Sequence, residues 1–124
     1  MDLTWQEFVK KKVEQFKKTS VINVKDIGRK GRHIFVREAW TFLPQSNLPQ
    51  KVFIIERLRK EDSEGSLAYG NFNKGQIEYR IGYFIVSQFG KTKGKWLWGQ
   101  FCPLIPQEDF SRLIDKAKKE GVII

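Results

Sequence analysis

One cysteine, Cys102, and one histidine, His33, are present in 124 residues. A lone cysteine excludes an internal disulfide, leaves a cysteine-based zinc site without ligands and fits a reducing compartment. The same scarcity argues against nucleophilic catalysis, which needs a nucleophile, a base and an orienting group. His33 adjoins a basic loop, and Cys102 stands between Phe101 and Pro103, where a buried, inert thiol is expected. Long apolar runs are missing as well: no stretch approaches the ~18 apolar residues of a membrane span, and no signal-peptide run opens the chain. Repeats and low-complexity tracts are absent. These features predict a soluble, cytoplasmic chain that forms one domain over residues 1–124, with neither metal nor cofactor.

Basic charge is what the sequence has in excess. Lysine and arginine number 23 against 14 acidic residues, a net charge of +9. Between Lys10 and Arg32 nine basic residues face only Glu14 and Asp26, which places +7 of that total in less than one fifth of the chain. Lys91, Lys93 and Lys95 form a second, tighter cluster. Such a field attracts polyanions, nucleic acid first. Ten Phe, four Trp and three Tyr within 40% apolar residues are enough for one core.

Residues 3–18 read as an amphipathic helix. Thr4 and Glu7 have the spacing of a capping box, and Trp5, Phe8, Val9, Val13 and Phe16 share a stripe from which Lys10, Lys11, Lys17 and Lys18 are displaced. Val21–Val24 is a short strand candidate, followed by the basic turn from Gly28 to Arg32. His33–Phe42 is rich in strand formers, with Ile34, Val36 and Trp40 predicted on one side. Pro44 and Pro49 make residues 43–50 a loop. Lys51–Lys60 is the next strand, with Val52, Ile54, Glu56 and Leu58 opposite Phe53, Ile55, Arg57 and Arg59. A turn at Glu61–Gly65 and a returning strand over Ser66–Phe72 follow. Ile77, Tyr79, Ile81, Tyr83 and Ile85 then alternate along a long strand in which Gly82 suggests a bend or bulge. Gly90–Lys95 is a hairpin tip, and residues 96–101 return from it. Gln107–Glu120 is a final helix with Phe110, Leu113, Ile114 and Ala117 on one stripe, stopped by Gly121. The fold class is therefore α+β, a twisted antiparallel meander of about four to six strands with an N-terminal and a C-terminal helix packed on it. Such a sheet usually covers one face with helices and leaves the other partly open. Phe53, Phe84, Phe101 and Phe110 are assigned to the core.

Two chemistries compete for the strands. A metal-dependent nuclease needs carboxylates gathered on adjacent strands beside a cation. Glu56, Glu78 and Arg80 supply a faint version of that set, but arginine cannot replace the lysine base, and Glu78 reads better as a cross-strand partner of Arg57 or Arg59. Single-strand binders combine basic side chains along the phosphates with aromatic faces for the bases. Arg57, Arg59, Tyr79, Arg80, Lys91, Lys93, Lys95, Trp96 and Trp98 carry that combination. The order of strands and then a helix from Lys51 onward is similar to that of the transcriptional-coactivator and whirly type of single-stranded DNA binders, a likeness of architecture that rests on no motif. The reading is a non-enzymatic protein that binds single-stranded DNA or RNA on a basic, aromatic β-surface. The alternative is a protein-interaction or regulatory module, since tryptophan and arginine also favour protein interfaces.

Overall fold

The computed structural model describes residues 3–25, 30–65 and 73–124. Helix α1 spans Trp5–Lys18, and the expected capping box closes its first turn: the Glu7 amide donates to Thr4 Oγ1, and the Thr4 amide to Glu7 Oε1. Five strands follow, β1 (Val21–Lys25), β2 (Arg32–Gln45), β3 (Leu48–Glu64), β4 (Ile77–Val86) and β5 (Trp96–Trp98), and helix α2 spans Gln107–Lys119. The strands pair in chain order, every pair antiparallel, so the molecule is the expected α+β meander.

Each face of the sheet carries one helix, which corrects the expectation of one covered and one open face. Strand β3 is the reason, because its run Val52-Phe53-Ile54-Ile55 is apolar at every position and buries both sides. Val52 and Ile54 join Phe42 and Phe84 under Phe8 and Phe16 of α1. Phe53 and Ile55 pack instead against Leu113 and Ala117 of α2, with Val122 beyond it.

Several local expectations fail for physical reasons. Residues 43–50 form no loop: β2 and β3 meet at a tight turn over Ser46 and Asn47. Strand β1 accompanies β2 only along Arg32–Val36, so β2 is an edge at Pro44, where a missing N–H is tolerated. The ladder also runs on to Glu64, through the turn expected at 61–65. Ile34 and Val36 do not share a side with Trp40, because a register shift between Arg37 and Ala39 leaves Glu38 as an extra residue. The β3–β4 register passes Gly82 without a break, so no bulge occurs there. Phe101 and Phe110 are exposed instead of core, and Cys102 is an exposed thiol. The return strand stops at Trp98, three residues short of Phe101, and the connector to α2 runs along the surface. The strand expected over Ser66–Phe72 and the first two residues of the basic turn at 28–32, Gly28 and Arg29, lie outside the described residues.

Candidate nucleic-acid interface

Of the nine residues singled out by sequence, six divide between the two faces and three lie at the tip. Arg57, Arg59 and Tyr79 lie on the α2 side, where each holds the chain together. Arg57 and Arg59 both donate from Nε to Glu38, at 3.2 and 2.6 Å. Arg57 Nη1 also reaches the carbonyls of Gly121 and Val122, and Tyr79 Oη accepts the Ile124 amide at 3.0 Å. Hydrogen bonds from Arg59 and Arg57 hold the Glu38 carboxyl below its usual range. Glu78 is the partner of neither arginine; the bulge delivers Glu38 to them instead.

Arg80, Trp96 and Trp98 lie on the α1 side. Trp96 is half buried there, its ring stacked on Phe8 at 4.7 Å and its indole N–H donated to the Leu3 carbonyl at 2.9 Å. Trp98 is different. It retains 40% of its surface and lies edge-on to Phe84 at 5.0 Å. The Arg80 guanidinium sits 4.9 Å from its ring centroid. Space for that indole comes from Gly82, across the ladder: a side chain there would run into the far edge of the Trp98 ring. Gly99 makes the reciprocal space for Tyr83 on the other face. Glycine at 82 is thus a matter of close approach.

Beneath Arg80 lies a carboxylate that the sequence marked only faintly. Glu56 is 1% exposed on β3 and is clamped from both neighbouring strands. Arg37 Nε donates to its Oε2 at 2.6 Å, while Arg80 Nε and Nη2 donate to Oε1 and Oε2 at 2.9 and 3.2 Å. The bulge at Glu38 lets both Arg37 and Trp40 face α1, and Phe16 stacks 3.8 Å from the Arg37 guanidinium. Lys12 completes the cluster from α1, its ammonium 5.1 Å from the Phe84 ring centroid. Burial and the nearby charge of Arg37 pull the Lys12 pKa down. Arg37 and Lys12 were not among the sequence candidates. A signal existed for Lys12, which sits four residues from both Phe8 and Phe16 and so on the line of α1 that meets the sheet.

Lys91, Lys93 and Lys95 occupy the tip between β4 and β5, all exposed. A 3-10 turn at Gly90–Thr92 shapes it, with Gly90 and Gly94 at φ 71° and 84°, values that suit glycine. Lys95 shares with Lys11 and Lys12 a groove between the tip and α1. One side of the sheet therefore combines Trp98 and Arg80 with Lys11, Lys12 and Lys95. Among the described residues no cluster of metal-binding side chains occurs, and no helix is long and apolar enough to cross a membrane. The chain matches no known protein family, no curated protein and no solved structure.

Proposed function

We propose that the protein binds single-stranded nucleic acid on the surface formed by α1, the tip and strands β4–β5. The observation that carries this reading is the half-exposed Trp98, with Arg80 against its ring and Lys12 and Lys95 on the same side of the sheet. An accessible indole offers a face for a base, and the lysines offer charge to the phosphates. Arg57, Arg59 and Tyr79 belong to the opposite face, so the proposed interface rests on Arg80, Lys91, Lys93, Lys95 and Trp98.

Fluorescence titration of a labelled single-stranded oligonucleotide tests the assignment. Trp98→Ala is expected to lose ~1–3 kcal/mol of binding, a loss that persists at high salt, while its melting temperature stays close to that of the wild type. Trp96→Ala is expected instead to lower the melting temperature, because it removes the Phe8 stack and the bond to Leu3. Unchanged affinity in Trp98→Ala would remove the stacking platform.

A second reading has its own observation. Beyond Val36 the outer side of β2 has no neighbouring strand among the described residues, and a groove lined by Trp5, Val9, Val13, Trp40 and Phe42 runs beside it. An extended peptide could add there as a strand, which would make the protein an interaction module. Salt separates the two, since such a contact responds far less to ionic strength than phosphate binding does.

A further inference from the structure

We infer that Lys12, Arg37 and Arg80 form a built site for one phosphate group. The identity of the ligand as a nucleic-acid strand rests on the reading above; the anion site itself rests on the charge balance of the cluster.

Among the described residues Glu56 is the one carboxylate hydrogen-bonded to this cluster, and its bonds consume Nε of Arg37 and both Nε and Nη2 of Arg80. Glu78, next to Arg80 on the same side of β4, bonds to none of the three cations. The terminal nitrogens of Arg37 and Nη1 of Arg80 make no hydrogen bond among the described residues. Lys12 is more exposed to frustration. Its ammonium has neither an ion pair nor a hydrogen bond among the described residues, and it rests 5.8 and 5.1 Å from the ring centroids of Phe8 and Phe84. Three cations thus share one hydrogen-bonded carboxylate in a partly buried place, where an unpaired ammonium is unfavourable. A leucine or methionine at position 12 would serve α1 packing better, lying as it does between Phe8 and Phe16 on the helix face.

What such an arrangement lacks is an anion. A phosphate has oxygens enough to accept from Lys12 Nζ and from the spare guanidinium donors together, and arginine suits it by planar geometry. Phe84 touches both Lys12 and Trp98, so the phosphate and the platform for its base lie side by side. The groove of about 400 Å³ shared with Lys11 and Lys95 gives the strand a basic path onward. Lys12 is in this view an anchor for one defined phosphate, unlike the exposed lysines around it.

The test uses Lys12→Gln beside Lys10→Gln, an exposed lysine of the same helix. Lys12→Gln is expected to melt no lower than the wild type, yet to bind a labelled oligo-dT about tenfold more weakly, the scale of one charge-assisted contact. Lys10→Gln should lose clearly less. Inorganic phosphate, compared with chloride at equal ionic strength, should raise the melting temperature of the wild type and leave Lys12→Gln unmoved. In the wild type, the Lys12 ammonium pKa followed by NMR should rise when oligo-dT is added, because a bound anion favours the charged form. Equal oligo-dT affinity in Lys12→Gln and wild type, with no rise of that pKa, overturns the site and leaves the nucleic-acid reading standing. Stabilisation by phosphate without binding of oligo-dT has the opposite meaning: the site stands and the nucleic-acid reading falls. If the wild type responds to neither, both are wrong.

Discussion

Trp96 and Trp98 stand two residues apart on one side of a three-residue strand, and their surroundings give them different roles. Trp96 meets α1, so its ring is stacked and its N–H is used. Trp98 lies over Gly82, with Phe84 edge-on to its ring and the Arg80 guanidinium against it. The glycine is what leaves room for the far edge of the indole. Gly82→Ala should leave the fold intact, because the obstructed atoms are the far end of a half-exposed side chain that can swing outward. The expected outcome is a loss of melting stability of no more than ~1–3 kcal/mol, the range for overpacking. It should come with a red-shifted tryptophan emission and weaker oligonucleotide binding. Retention of wild-type emission would mean that Gly82 does not set the position of Trp98.

At the scale of elements, the two helices were legible for different reasons. The capping box and the apolar stripe of α1 are local signals, and they locate Trp5–Lys18 almost to the residue. Helix α2 was equally plain, but the sequence stripe included Phe110, which points to solvent. Docking of its first turn is set by Asp109, fully buried and accepting from the Ser46 amide and hydroxyl at 3.0 and 3.2 Å. That contact joins residues 63 positions apart, so no local pattern could announce it. The buried anchor is Leu113, wedged against Phe53 and Ile55. Leu113→Ala should destabilise the protein by ~2–5 kcal/mol, read by chemical denaturation, if the cavity does not collapse. A loss below ~1 kcal/mol would mean that α2 is not needed to hold that face. The candidate site was less legible still. How Arg37, Glu38 and Trp40 are divided between the two sides of the sheet depends on the one-residue bulge at Glu38, and alternation alone assigns Trp40 to the wrong side. The alternation along β3 and β4 was sound within each strand, but it does not say which faces of the two strands coincide. Pairing Glu78 with Arg57 or Arg59 set Arg80 on the face opposite Glu56, whereas the register puts Arg80 directly across from it.

For the whole molecule, the uneven charge is the most telling quantity. A net +9 on 124 residues is a general attraction to polyanions, and by itself it distinguishes nothing. The fold gives it direction by setting Lys11 and Lys12 of α1 and Lys95 of the tip on the two sides of one groove, with Arg80 and Trp98 on the same side of the sheet. The arginines of the other face, by contrast, are occupied with Glu38 and the C-terminal segment. The most direct measurement is the affinity of the folded wild type for a single-stranded oligonucleotide across a series of salt concentrations. Each phosphate contact contributes a log–log slope of about −0.7 for single strands, so three to five contacts give roughly −2 to −3.5, with residual binding at high salt from stacking on Trp98. A folded protein that binds no oligonucleotide even at low salt would contradict the account.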